Sequence, residues 1–356
     1  MAMRRPAKKI ARLLDNRGEA LRIAVFRTDR IGDLVLATPV AELLKKRFPA
    51  AYLTFVVREY ASPVLEQNPF IDKILTVDGL TYKEIAKQIQ DNDVSLTLIA
   101  YKNAVFSPWL ANIPVRIGPL SGSPLTKLRS LLFNLRFRQR RSASLQNEAQ
   151  YMLDLARKAF GLEGDAYPRI YLTAKEQAWG QNYLETRYAI GPKERFIVLH
   201  PGSGGSSKDL PLAKFEKLAE KMNLAGMRFL VSGSAEELKS YSQLPGFKDY
   251  LMLEALPLRN YLALLANAAL FVGGSTGPLH CAVALDVSTV SFYPLKRTYS
   301  PQRWGPFSAK PARHRVFSPP VPACRRCKPS CQYAPCMDLL NVEDIFTGIQ
   351  KLFLSE

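Results

Sequence analysis

From Leu21 onward the chain alternates between short apolar runs and longer segments whose apolar positions recur every three or four residues. "LRIAVFR", "AYLTFVV", "IDKILTV" and "VSLTLIA" read as strands, with helices over 33–48, 60–67 and 81–91 between them. "NAVFSPWLAN" and the short strand-like "VRIG" follow. The rhythm then breaks over 119–147, which is rich in Pro, Gly, Ser and Arg and contains a basic amphipathic piece at 125–137. A helix over 148–160 and a connector lead to residue 194, where the alternation restarts. "ERFIVLH", "MRFLVSG", "DYLMLEA", "ALFVGG" and "VSTVSFY" read as strands, with helices over "PLAKFEKLAEKM", 235–243, "LRNYLALLANA", "GPLHCAVALD" and 341–353. Strands alternating with helices imply βαβ units and parallel sheets, so the fold class is α/β. Two doubly wound, Rossmann-like domains are expected, 1–180 and 190–356, with a terminal helix that can pack back on the first. The ligand cleft is expected between them, because such sheets bind ligands beyond the carboxyl ends of their strands.

Three strand-to-helix turns present small or polar residues there. The first is "RTDRIGDLVLATP", residues 27–39: Gly32 allows a tight turn, and Asp33 sits where a helix cap is expected. Such a carboxylate serves equally as a cap or as a general base. The second is "HPGSGGSSKDLP" at 200–211, whose glycines and serines leave backbone N–H groups for an anion, with Lys208 adding a point charge. The third, "GGSTGPLH" at 273–280, opens a helix with Ser275, Thr276 and Gly277, and places His280 on its first turn. Two phosphate-friendly turns in one half point to a nucleoside diphosphate ligand.

Charge sharpens this picture. The formal net charge is +18 and the pI about 9.7, which suits phosphorylated substrates, nucleic acid or an anionic membrane. Arg116, Lys127, Arg129, Arg136, Arg138, Arg140 and Arg141 fall in a stretch without any acid, and we read it as an anion-facing surface rather than a merely solvated one. The apolar stretches are too short to span a bilayer, and the first residues lack the pattern of a secretory signal, so a cytoplasmic protein is expected. Cys281 reads as a packed thiol. Cys324, Cys327, Cys331 and Cys336 fall within thirteen residues, and could close a structural zinc site, although not with the spacing of a two-knuckle finger. There is no GxGxxG, P-loop or HExxH, and three histidines are too few for a His-based metal centre.

"RTDRIGDLVLATPVAELLKKRFP", "VLHPGSGGSSKDLPLAKFEKLAEKM" and "LFVGGSTGPLHCAVALDVSTVSFYP" resemble, in order and spacing, the three signature segments of the lipopolysaccharide heptosyltransferases, glycosyltransferase family 9. The resemblance covers roughly residues 21–350. It implies a GT-B fold and an inverting transfer of a sugar, typically heptose from ADP-heptose, with neither divalent metal nor other cofactor. The implied acceptor is an anionic, lipid-linked lipid A–Kdo glycan at the cytoplasmic face of the inner membrane, where the enzyme sits peripherally. The resemblance assigns Asp33 as base. It puts Ser206, Ser207 and Lys208 at the donor phosphates, Thr276, Gly277 and His280 in the donor turn beside Ser275, and, more loosely, Glu236 or Glu237 at the nucleoside. Gly32, Arg58, Arg136 and Arg138 are expected to face the acceptor.

Two departures matter. The family usually has Asp where this chain has Ser275, and the frequent KxWP reads Lys208-Asp209-Leu210-Pro211. A divergent member using another nucleotide sugar is therefore an alternative, as is a GT-B nucleotide-sugar epimerase. Nucleic-acid binding is disfavoured, since no RNP, KH or helix-turn-helix pattern accompanies the charge.

Overall fold

The computed structural model describes residues 20–205, 207–322, 324 and 335–355. The chain divides into two compact units, Met1–Tyr171 and Leu172–Glu356. In the first unit β1 (Arg22–Phe26), β2 (Tyr52–Val57), β3 (Lys73–Thr76), β4 (Val94–Thr97), β5 (Val115–Leu120) and β6 (Leu135–Arg138) form one parallel sheet in the order 3-2-1-4-5-6. Its central strands are almost wholly buried, as expected for a sheet covered on both faces. Chain order reverses between β1 and β4, which leaves a crevice at their carboxyl ends, the usual ligand position in such sheets.

The second unit repeats the plan. β7 (Ile197–His200), β8 (Phe229–Val231), β9 (Leu270–Gly274), β10 (Ser288–Phe292) and β11 (His314–Phe317) are parallel in the order β11-β10-β9-β7-β8. Beyond β8 lies a single parallel bridge, Val231 to Met252, flanked by a bond from Leu253 N to Val231 O at 2.8 Å. Counting that bridge as a residual strand, the second sheet has the same order as the first, with its reversal between β7 and β9. Its core joins the sheet to the helix Leu212–Leu224 and to the terminal helix Val342–Leu354, through Phe215, Leu218, Ile345, Ile349 and Phe353. The terminal helix buries its apolar face in the core of the second unit.

Several expected elements differ. The helix over 33–48 is two helices, Ile31–Val35 and Thr38–Arg47, because Pro39 lacks the N–H that an uninterrupted ladder would use. The amphipathic piece at 125–137 divides into a helix (Pro124–Arg129), a 3₁₀ turn (Ser130–Leu132) and the edge strand β6. β11 is a further edge strand that the pattern did not suggest. The expected strand "DYLMLEA" is reduced to the bridge at Met252, and the linker region is a full helix, Ala174–Tyr188, in the second unit.

That helix lies against the helix Leu258–Leu265 so closely that a Cβ on Gly180 would stand 2.5 Å from the Ala263 carbonyl oxygen. Backbone cannot yield as a flexible side chain does. Gly180→Ala should therefore destabilise the second unit by about 1–3 kcal/mol, read as a lower midpoint in urea unfolding.

Candidate active site

In the first unit the site is built on a buried charge. β1 ends at Phe26, and the next side chain, Arg27, is wholly buried. Its guanidinium reaches three carboxylates from different parts of the fold. Nε lies 2.7 Å from Asp29 Oδ1, Nη2 donates to Asp33 Oδ1, and Nη1 approaches Glu148 Oε1 and Met152 Sδ, each at 3.4 Å. Burial works against the guanidinium charge, but the three carboxylates outweigh it and hold Arg27 protonated. Glu148 also accepts from Arg141 Nη1, and Arg141 Nη2 donates to the Leu98 carbonyl at 2.7 Å, just beyond β4.

Two guanidiniums thus meet three carboxylates, and charge balances if one carboxyl keeps its proton. Asp29 binds a proton more tightly than a free carboxyl does. Burial pushes its carboxyl up to about 7, against the pull of Arg27, with Asp33 and Glu148 adding to the rise. Asp33 is not a helix cap: the cap position is Arg30, and Asp33 stands in the first turn with its carboxylate drawn back onto Arg27. Gly32 is buried within that helix rather than at a left-handed turn.

Beside this network Thr28, Asp29, Arg30, Arg58, Tyr60, Tyr101 and Asn103 line a cavity of about 560 Å³ at the carboxyl edge of the sheet. Tyr60 donates its hydroxyl to the Asp29 carbonyl at 3.1 Å, and Thr28 Oγ1 donates to Asn103 Oδ1 at 3.2 Å. Arg58, at the end of β2, is held by Asp78 with its guanidinium 5.6 Å from the Tyr60 ring centre. Arg136 and Arg138 are not brought to this cavity. They are exposed on β6, three strands from β1, or ~14 Å at the usual strand spacing. Arg141, expected on the anion-facing surface, is buried on Glu148.

In the second unit the two turns flank the β7/β9 reversal. Gly204 and Gly205 adopt φ of +53° and +73°, a left-handed course that glycine follows without strain. Gly202 has another reason to be glycine: a Cβ there would stand 2.0 Å from Glu237 Oε1 and 2.8 Å from the Tyr241 hydroxyl. Of the two adjacent acids, Glu237 is therefore the one that packs under the loop. It also completes a capping box with Ser234, whereas Glu236 is exposed. Ser207 N donates to Ser203 Oγ at 3.4 Å, while the buried Ser207 hydroxyl has no partner among the described residues. Lys208 is exposed on the same loop. Ser206 lies outside the described residues. His200 is buried with Nδ1 2.9 Å from Ser232 Oγ, and burial lowers it to about 4, so it is neutral at pH 7.

Thr276 caps the helix Gly277–Ala284, its Oγ1 accepting from Leu279 N at 3.3 Å, and His280 is buried in that helix with its ring 6.5 Å from that of Trp304. Ser275 hydrogen-bonds the buried Tyr293. The carboxylate near this turn comes from elsewhere: Asp209 Oδ1 lies 3.6 Å from where a Gly274 Cβ would be. Burial raises the Asp209 carboxyl, against a hydrogen bond from Ser203 and the charge of Lys208. Of the four clustered cysteines, Cys327 and Cys331 lie outside the described residues. Cys324 pairs by backbone with Lys296, and Cys336 opens a short 3₁₀ turn.

The sequence profile of glycosyltransferase family 9 (heptosyltransferase) matches residues 82–331. The chain belongs to glycosyltransferase family 9. A Haemophilus influenzae protein provisionally named a glycosyltransferase is 30% identical over 318 residues, covering 84% of this chain and 90% of its own. Lipopolysaccharide heptosyltransferase 1 of Pseudomonas aeruginosa is 23% identical, covering 94% and 99% of the two chains. Among solved structures, the Escherichia coli ADP-heptose lipopolysaccharide heptosyltransferase II superposes with a TM-score of 0.74 at 18% identity, over 94% of this chain and 99% of that one. The two parallel sheets of six and five strands are those of GT-B enzymes of this family, and the chain is a glycosyltransferase. No helix among the described residues is long and apolar enough to cross a membrane.

Sequence reading missed Arg27 and Glu148, which lie 121 positions apart; only the unusual charge directly after an apolar strand hinted at Arg27. Two measurements test the network. Arg27→Met strands buried carboxylates and should lower unfolding free energy by about 3–5 kcal/mol. Because the folded value of Asp29, about 7, lies above the ~3.9 of an unfolded Asp, ionising it opposes folding. Its contribution is full below pH ~4 and lost as pH rises through about 7. Asp29→Asn should remove that decline from a pH series of urea midpoints.

Proposed function

We propose that this protein is an inverting, metal-independent heptosyltransferase that moves a heptose from ADP-heptose to an anionic, lipid-linked lipid A–Kdo core glycan at the cytoplasmic face of the inner membrane. The first unit takes the acceptor, and the second the donor. The observation that carries this reading is the Asp33 carboxylate, held by Arg27 at the carboxyl edge of the first sheet in a family 9 chain. A carboxylate so fixed accepts the proton of an acceptor hydroxyl as the oxygen attacks the anomeric carbon. The bond from that carbon to the diphosphate breaks on the opposite face, and the departing oxygen keeps the electron pair. Arg58 and Arg30, on the cavity wall, suit acceptor phosphate or carboxylate.

For the donor, the 201–208 loop offers backbone N–H groups, the Ser207 hydroxyl, which has no partner among the described residues, and Lys208 to the diphosphate. Positive charge and oriented dipoles there would stabilise the leaving group without a divalent ion. Donor use by the structural relative supports ADP-heptose, since that enzyme is named for it. One observation favours a different nucleotide sugar: Ser275 is turned onto Tyr293, and the carboxylate beside the turn is that of Asp209. Sugar hydroxyls met by a differently anchored acid need not be those of heptose.

Asp33→Asn should leave donor affinity nearly unchanged and lower turnover by ~100-fold or more; wild-type turnover in this variant would overturn the assignment. Lys208→Ala should weaken both donor binding and turnover. Calorimetric titration with ADP-, UDP- and GDP-sugars identifies the donor, and undiminished activity in EDTA is the expected sign of metal-free transfer. A sugar altered without any acceptor would instead mark an epimerase.

A further inference from the structure

The acid-free stretch 116–147 forms a distinct corner of the first unit. The helix Pro124–Arg129 buries no side chain, and with the following turn it exposes Leu125, Leu128 and Leu131 by 59, 62 and 57%. Spaced three apart, these leucines form one row, and Lys127 and Arg129 fall to either side of it. Strand β6 brings more charge to the same corner, since Arg138 pairs in register with Leu120, where the chain leaves β5 for this helix. Arg136, Arg138, Arg140 and Lys127 are exposed. Two other arginines of the run are engaged internally: Arg116 with the Ile113 and Leu132 carbonyls at 2.7 and 2.9 Å, and Arg141 with Glu148 and Leu98.

Leucines alone would suit a second protein, and arginines alone could simply be solvated. An outward row of leucines flanked by cations, with no acid along the stretch, matches the boundary between acyl chains and anionic headgroups. We propose that this corner is a bilayer-docking element, with Leu125, Leu128 and Leu131 entering the acyl boundary and Lys127, Arg136, Arg138 and Arg140 meeting anionic lipid headgroups. Such docking serves the lipid-linked acceptor and to that extent rests on the function proposed above; vesicle binding by the protein alone is independent of it. A soluble acceptor lacking acyl chains should be glycosylated equally by wild type and docking variants, which separates failure of docking from failure of the transferase reading.

The test is co-sedimentation of the full chain with phosphatidylcholine vesicles, with and without phosphatidylglycerol. Wild type should pellet with the anionic vesicles and be released by salt. The triple variant L125S/L128S/L131S should bind at least about tenfold more weakly, with unchanged melting because those side chains are exposed. R136Q/R138Q/R140Q should lose about tenfold or more at low salt and little at high salt. Leu128→Trp, which keeps an apolar side chain, adds an indole whose fluorescence should be quenched by brominated acyl chains in anionic vesicles. The proposal is overturned if wild type ignores both vesicle types, if the leucine variant binds as wild type does, or if the fluorescence added by Leu128→Trp is unquenched. It is likewise overturned if light scattering reveals a dimer that the leucine substitutions dissolve while no vesicle binding occurs.

Discussion

A charged side chain removed from water has to be matched in place, and the first unit is organised around one such group. Arg27 is shared by a loop (Asp29), a short helix (Asp33) and the start of a helix far along the chain (Glu148). Through Glu148 the network continues to Arg141 and the Leu98 carbonyl, so one run of ionic contacts joins the end of β1 to the end of β4. Those strand ends are the walls of the crevice where chain order reverses. The interaction that orients the proposed base therefore also fixes the crevice around it. Stability alone is a weak reason for such a cluster, because well-packed apolar residues often do as well. Its value here lies in holding the Asp33 carboxylate at the carboxyl edge of the sheet with little freedom to turn.

The second unit meets the same topological problem with other means. No comparable ion cluster is found at the β7/β9 reversal among the described residues. Gly202 passes close to the half-buried Glu237, a neutral His200 supports the strand end through Ser232, and Thr276 caps the next helix. Backbone N–H groups and one lysine are suited to a ligand that brings its own negative charge, whereas a site that must abstract a proton needs a carboxylate of its own.

Much of the α/β plan was legible because central parallel strands are continuous apolar runs. The edges were not. β6 alternates apolar side chains with arginine and β11 opens on His314 and Arg315, as exposed edges often carry charge that discourages pairing with other chains, and "LRFR" following a helix reads as more of that helix. Asp33 was visible through its motif, but its role as a cap was mistaken, since the contact that redirects it comes from Arg27 behind it. Glu237 could be preferred over Glu236 only once Gly202 was seen against it. Asp209 was visible only as a departure from a pattern; its nearness to Gly274 depends on two loops converging from different strands.

The repetition of one strand order, each sheet with its own core, has an evolutionary consequence. Substitutions within one core act on that core, and sites that are far apart and share no partners add nearly independently. On the function proposed above, a lineage can exchange the group that receives the sugar by altering loops on the first sheet while the nucleotide turn of the second stays intact. The two halves are then separately heritable specificities, and low overall identity between relatives is compatible with an unchanged architecture.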